Sequence, residues 1–248
     1  MKNNNRFVFI IPFYNVKDYI LDCVNSILAQ KYENWLAIFC DDLSSDGTSD
    51  LIPTHDKFIK RISVERGTAL KNIHDNLINS DFLLDEDIIV ILDGDDFLIN
   101  SQALDVLDAI YNINKPLITY GQYVYMNGQI GHCYGYSREE FTRLRELDWR
   151  ASHLRTFKWK VYKEIQVQDP NYLCYKDANG EFYKSCYDVA IMHPLLEIAG
   201  YDRVYFNQIP LYYYRIHQNN DHNLNAALQK GIELEIRGKQ KFKQVLQW

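Results

Sequence analysis

Ile88-Ile89-Val90-Ile91-Leu92 runs straight into Asp93-Gly94-Asp95-Asp96, and this stretch constrains the fold more than any other. Five branched apolar residues in a row read as a strand buried on both faces, which suits the middle of a mostly parallel sheet. The carboxylates then fall at its C-terminal edge, where open α/β sheets bind ligands. Between Asn72 and Asn114 there are ten acidic residues and no Lys or Arg, so the balancing charge has to come from elsewhere in the chain. Asp93 and Asp95 are two apart, and Gly94 lets the backbone bend so that both side chains converge on one hard divalent cation. The expectation is a metal site that holds a diphosphate.

The segments before this strand read as a βαβ unit, which is almost always right-handed. Phe7 to Ile11 is an apolar strand that stops at Pro12. From Val16 onward, Tyr19, Ile20, Cys23, Val24, Ile27 and Leu28 recur at three-four spacing and give one buried helical stripe. Trp35 to Cys40 is the second strand, and Asp41-Asp42-Leu43-Ser44-Ser45-Asp46-Gly47-Thr48 follows it at once. Arg61 to Val64 reads as a short third strand, and a helix carrying Ala69, Leu70, Ile73 and Leu77 has Arg66 just ahead of it. Ser101 caps a helix that ends near Lys115-Pro116.

After Pro116 the strict alternation stops. Leu117 to Tyr120 and Tyr123 to Met126 are strand candidates, with Asn127-Gly128 as a hairpin turn. His153 to Trp159 reads as an amphipathic helix or an acceptor-bordering segment. Ser185 to Ala199 reads as a helix stopped by Gly200, Val204 to Phe206 and Leu211 to Ile216 as late strands, and Asn223 to the end as a helix. At 248 residues the chain suits one large α/β domain. Its first half is residues 1–116, its second, rich in the 19 tyrosines, is 117–222, and 223–248 is the C-terminal helix.

Composition excludes some partners. With 27 basic against 33 acidic residues and a net charge of −6, no general electrostatic drive toward nucleic acid exists. The C-terminal segment carries Lys230, Arg237, Lys239, Lys241 and Lys243, a solvated face or a peripheral membrane contact. No apolar run approaches the ~20 residues of a membrane span. The five scattered cysteines include no C-x-x-C pair, which points to free thiols in a reducing, cytoplasmic setting.

Four separated motifs together resemble the inverting GT-A glycosyltransferases of glycosyltransferase family 2. They are Phe-Ile-Ile-Pro-Phe-Tyr-Asn at 9–15, Asp-Asp-Leu-Ser-Ser-Asp-Gly-Thr at 41–48, Leu-Asp-Gly-Asp-Asp at 92–96, and Tyr187-Asp188 with the helix that follows. The resemblance implies an α/β GT-A fold, a Rossmann-like mixed central sheet flanked by helices. It also implies a nucleotide-sugar donor, a UDP-sugar above all, and a hydroxyl of a glycan or other acceptor.

Residue by residue, it places Pro12, Tyr14 and Asp42 around the nucleotide base with Arg66 close by. An aromatic ring stacks on a planar base, and a carboxylate accepts its ring N–H; from the residues alone, Tyr14 also reads as a core tyrosine and Asp42 as a turn former. Asp93 and Asp95 match the D-x-D element that positions Mn2+ or Mg2+ on the diphosphate, with Asp93 also in reach of the ribose or donor sugar. Asp188 takes the place of the general base, although Cys186-Tyr187-Asp188 stands where many relatives have an acidic pair. Tyr212 to Asn223 resembles a closing motif, with His217 as a further metal ligand, His222 as its rival, and Arg215 as a counter-charge. Arg155 and Trp159 are placed beside the acceptor. Two other classes compete: a nucleotidyltransferase, and a binding module that has lost the chemistry. The first generally carries a Gly-rich basic loop after its first strand, and Pro12-Phe13-Tyr14-Asn15 is unlike one.

Overall fold

Hydrophobic residues alternate between two buried layers along the central strands, and a sheet covered by helices on both faces follows from that. In a computed structural model, which describes residues 4–217 and 226–248, the strands are β1 (Phe7–Phe13), β2 (Trp35–Asp41), β3 (Phe58–Ile62), β4 (Ile88–Ile91), β5 (Phe97–Leu98), β6 (Ile118–Tyr125), β7 (Arg155–Lys158) and β8 (Val204–Tyr214). They form one eight-stranded sheet in the order β3-β2-β1-β4-β7-β6-β8-β5. The helices are α1 (Ile20–Leu28), α2 (Ala69–Ile78), α3 (Ala103–Ile113), α4 (Arg138–Phe141), α5 (Trp159–Gln168), α6 (Tyr187–Ala199) and α7 (Ala226–Gly238).

The sheet is mixed. β3, β2, β1 and β4 run parallel to one another. β7 runs antiparallel between β4 and β6, while β6 and β8 are parallel and β5 closes the far edge against β8. Val8, Ile10, Ile89 and Ile91 pack with α2, α5 and α6 on one face. Phe7, Phe9, Ile11, Ile88, Val90 and Leu92 pack with α1 and α3 on the other. Each of these side chains is fully buried or nearly so, and at about 1.5–3 kcal/mol apiece this double layer fixes the position of the β4 end. The expected α/β class and flanked mixed sheet are what the chain forms.

Several element expectations need correction. Arg155–Lys158 is a strand in the middle of the sheet, not an amphipathic helix. Thr156 and Phe157 fit a pleated, buried site: the Thr156 hydroxyl bonds both Thr119 and Tyr111, and the helix begins only at Trp159. The two strand candidates after Pro116 are one strand with a register irregularity between Gly121 and Tyr123, and Val204–Tyr214 is likewise continuous. β3 begins earlier than Arg61, because its pairing with β2 starts at Phe58. The last helix ends at Gly238, and residues 223–225 of the expected helix lie outside the described residues. Two of its basic residues turn inward: Arg237 bonds the carbonyls of Arg145 and Leu147, and Lys239 that of Lys176. Among the described residues no helix is long and apolar enough to cross a membrane.

Candidate active site

The acidic turn is welded to the end of β1. Leu92 N–H donates to the Ile10 carbonyl, and Gly94 N–H to that of Pro12 at 3.1 Å. A Cβ on Gly94 would sit 2.6 Å from Phe13 Cβ, so only glycine permits this approach. Past the turn the chain crosses to the opposite edge of the sheet as β5, where Phe97 and Leu98 pair with Tyr213 and Tyr212. The three acids therefore lie between two fixed points.

Their side chains have separate surroundings. Asp93 accepts from the Tyr187 hydroxyl and, at 3.2 Å, from that of Tyr212. Burial pushes it up to about 6; Arg155 opposes the rise and Asp95 adds to it. Asp96 is turned inward, with one oxygen on the Tyr212 hydroxyl at 2.7 Å and the other on the Arg215 backbone N–H at 2.7 Å. Burial, and then Asp95 and Asp93, push it well above the usual carboxylate range. Asp95 is left facing His217, whose Nε2 is 2.7 Å from its carboxylate. Neighbouring acids and burial thus raise the cost of charging Asp93 and Asp96.

The donor set fits a hard divalent cation that arrives with phosphates. Among the described residues no three His, Cys, Asp or Glu side chains form a ready cage, and cations of this kind are usually held by one or two carboxylates plus substrate oxygens. Asp95, Asp93 and His217 surround one edge of a cavity of about 500 Å³, and Pro12, Tyr14, Asp42 and Arg66 line the rest of it. Asp42 is buried at the end of β2 and accepts from Gly67 N–H at 2.8 Å, and its other oxygen pairs with Arg66. The Arg66 guanidinium lies 3.3 Å above the centre of the Tyr14 ring. Asn15, in the left-handed region at φ 51°, locks this loop to the next by bonds with Ser44 and Ser45. Asp41 does the same within its own loop, through Ser44 and Ser49.

A second cavity of about 650 Å³ adjoins the first and shares Asp93, Tyr187 and Tyr214 with it. Asp188, in the first turn of α6, lines only this second one. Its Oδ2 accepts from the Trp149 indole N–H at 2.8 Å and lies 3.4 Å from Arg155. Arg155 is the cation the acidic stretch lacks. Projecting from β7 opposite Ile91, it is 1% exposed, donates to the Tyr187 hydroxyl at 2.8 Å, touches His153 at 3.0 Å and stands 3.7 Å from Asp93. Burial and the adjacent Arg155 keep His153 well below its ordinary pKa, hence uncharged near neutrality.

The structure thus brings together Pro12, Tyr14, Asp42, Arg66, Asp93, Asp95, Asp188 and His217 around two joined cavities. One expectation changes. Arg155 lines the second cavity and acts there as an internal counter-ion, whereas Trp159 is at the wrong end of the strand. Trp159 N–H bonds the Asp87 carbonyl, before β4 begins, and its buried ring packs on Tyr162. Arg215 ties the chain after β8 to α1 through Asp22, with its Nε on the Asp95 carbonyl. His222 lies outside the described residues. Trp149 had no signal in one sequence, whereas His153 and Tyr212 fell in segments already singled out; the pairing of β7 with β4 and of β8 with β5 is what brings those two segments to the acids.

A central parallel half-sheet, an acidic turn at its edge and two adjoining cavities define the GT-A class of glycosyltransferases, and similarity to solved members agrees. The chain belongs to glycosyl transferase family 2, whose profile matches residues 8–166. It is 31% identical over 127 residues to the UDP-Glc:alpha-D-GlcNAc-diphosphoundecaprenol beta-1,3-glucosyltransferase WfgD of Escherichia coli, across 48% of this chain and 46% of that one. Its fold is similar to S. aureus TarS 1-349 in complex with UDP-GlcNAc (TM-score 0.63, 16% identity, 87% of this chain and 60% of that one). It is also similar to the mannosyltransferase PcManGT of Pyrobaculum calidifontis in complex with GDP-Man and Mn2+ (TM-score 0.60, 16% identity, 94% and 62%). The chain spans less than two thirds of the length of each of these three.

Proposed function

We propose that this glycosyltransferase is metal-dependent and inverting, and that it moves a sugar from a nucleotide-sugar donor, a UDP-sugar, to a hydroxyl of a glycan or other acceptor. The observation that carries the reading is the pair of joined cavities, with Asp95 in one and Asp188 in the other. Residues 1–116 supply most of the donor cavity and residues after 117 most of the acceptor cavity. Tyr14 offers a stacking face for the base, and Asp42 an acceptor for the ring N–H of uracil. That WfgD is named for UDP-Glc and that a TarS structure contains UDP-GlcNAc support a uridine donor, whereas PcManGT binds GDP-Man. That Cys23, Cys40, Cys133 and Cys174 form no disulfide among the described residues suits a reducing compartment.

Asp95, Asp93 and His217 would hold Mn2+ or Mg2+, which supplies Lewis-acid neutralisation of the leaving diphosphate. On the other side of the shared wall, Asp188 takes the proton from the acceptor hydroxyl as that oxygen attacks the anomeric carbon. Attack from the face opposite the leaving group inverts the centre. Trp149 and Arg155 hold the Asp188 carboxylate in place, and the packed aromatics around it limit access of water.

The test is transfer from UDP-sugars to an acceptor pool with and without Mn2+. Asp188→Asn should lower kcat by about 10²–10⁴-fold, the usual range for a positioned base, without weakening UDP binding. Near-full turnover in that variant would rule out Asp188 as the base. Retained metal dependence in Asp95→Ala would rule out the metal assignment. UDP binding with no turnover in any acceptor pool would favour the binding-module reading.

A further inference from the structure

The second cavity, read as the acceptor site proposed above, has a chemical character of its own. Arg155 is the one Lys or Arg among the described residues that lines it, and that guanidinium is buried and flanked by Asp93 and Asp188. Three acids line it: Asp93, Asp188 and Glu233. Glu233 is paired by Arg237, and Asp93 is the acid proposed above to hold the cation, so the wall has no surplus positive charge. A phosphate or carboxylate on an acceptor would find, among the described residues, no Lys or Arg on this wall except Arg155, which is already paired with acids.

The rest of the wall is aromatic and neutral. In the parallel pairing of β6 with β8, Tyr123 lies beside Tyr212 and Tyr125 beside Tyr214, so period-two alternation puts these tyrosines on one face. Tyr123, Tyr125 and Tyr214 line the cavity and hold one another at ring separations of 5.2–5.7 Å, two of the three contacts edge to face. Rings locked this way are ready to pack against the C–H side of a pyranose at little entropic expense. The Ser185 hydroxyl, also on this wall, has no hydrogen-bond partner among the described residues. A volume of about 650 Å³ falls in the range of small-ligand sites, roughly 300–1,000 Å³.

We infer that the acceptor is an uncharged sugar residue, seated against the Tyr123–Tyr125–Tyr214 wall, rather than a phosphorylated or uronic-acid residue. The inference rests on the second cavity being the acceptor site, but its test does not need turnover. Binding of the full chain to methyl glycosides of glucose, galactose and N-acetylglucosamine is compared, by saturation-transfer NMR at low salt with UDP and Mn2+ present, with binding to methyl glucuronide and methyl glucoside 6-phosphate. At least one neutral glycoside should bind about tenfold or more tighter than either anion, and salt should narrow the gap by screening. Tyr125→Ala should weaken the neutral glycoside about fivefold or more while UDP binding, which does not involve Tyr125, reports an intact fold; Tyr125→Phe should retain it. An anion that binds as well as its neutral counterpart, an absence of binding by every neutral glycoside, or an unaffected Tyr125→Ala overturns the inference. Neutral glycosides that bind but are never glycosylated would instead count against the transferase chemistry and leave the acceptor class standing.

Discussion

Replacing Arg155 by methionine tests how the acidic centre is kept folded. The guanidinium is 1% exposed and sits 3.7 Å from Asp93 and 3.4 Å from Asp188, while Tyr187 and His153 take its N–H bonds. Methionine fills much of the same volume, so packing is largely preserved and the loss is electrostatic. Removing one partner of a buried ion pair costs about 3–5 kcal/mol. The Asp93 and Asp188 side chains are 19% and 25% exposed, and water relieves part of that, so the lower end, about 3 kcal/mol, is expected at pH 8. The pH dependence has a defined sign. Asp93 is already raised to about 6 from an ordinary 3.8 and rises further without Arg155. A carboxylate with a raised folded-state pKa binds its proton more tightly when folded, so stability is regained as pH falls through that value. Urea unfolding of wild type and variant at pH 8 and pH 5 should therefore show a gap that shrinks at pH 5. Titrating groups that do not touch Arg155 cancel in the difference. A gap under about 1 kcal/mol at pH 8, or an equal gap at both, refutes the counter-ion role.

Three further outcomes follow from other contacts. Gly94→Ala should destabilise by about 1–3 kcal/mol, as overpacking does, because its Cβ lands 2.6 Å from Phe13 Cβ; thermal melting checks this, and divalent-cation binding should fall with it. His74 is buried against Tyr162 and held at about 4 by burial, so its neutral form costs nothing at pH 7. As pH falls from 6.5 toward 4 the unfolded chain gains a proton that the folded one refuses, a loss of about 3 kcal/mol by pH 4 at ~1.4 kcal/mol per pH unit. His74→Gln should flatten that limb in urea titrations from pH 7 to pH 4, and an unchanged slope contradicts the reading. Trp149→Phe removes the 2.8 Å bond to Asp188; bonds to charged groups contribute about 1.5–3 kcal/mol, so kcat should drop roughly 10–100-fold with donor KM unchanged, measured by initial rates of transfer.

Local sequence carried the parallel half of the fold because its strands and helices announce themselves by period. Branched runs such as Ile88–Ile91 are buried on both faces, and the α1 stripe repeats at three-four spacing. The acidic turn was legible for the same reason: Gly94 between two acids after an apolar run has few structural meanings. Arg155–Lys158 was not legible. Four residues in which buried Arg155 and Thr156 share a strand with one aromatic and a half-buried Lys158 have no clean pattern of either kind, and only the gap between β4 and β6 makes them a strand. The assignment of Trp159 failed with it, since four residues along an extended strand is roughly 13 Å, enough to leave the site. The roles within the acid triad were also hidden. Asp96 is distinguished from Asp95 only by Tyr212 and the Arg215 backbone, which lie more than a hundred residues away in sequence.

Asp93, Tyr187 and Tyr214 belong to both cavities, and this common boundary bears on how such an enzyme diversifies. A change at any of the three alters two ligands at once, so it is selected against unless both tolerate it. Tyr125, His132 and Trp149 touch only the second cavity, whereas Tyr14, Asp42 and Arg66 touch only the first. Each set is free to drift without disturbing the other. The boundary therefore divides the lining into two separately variable sets joined at a shared seam, and on the proposed reading of the cavities, libraries aimed at a new acceptor belong on the residues that line only the second.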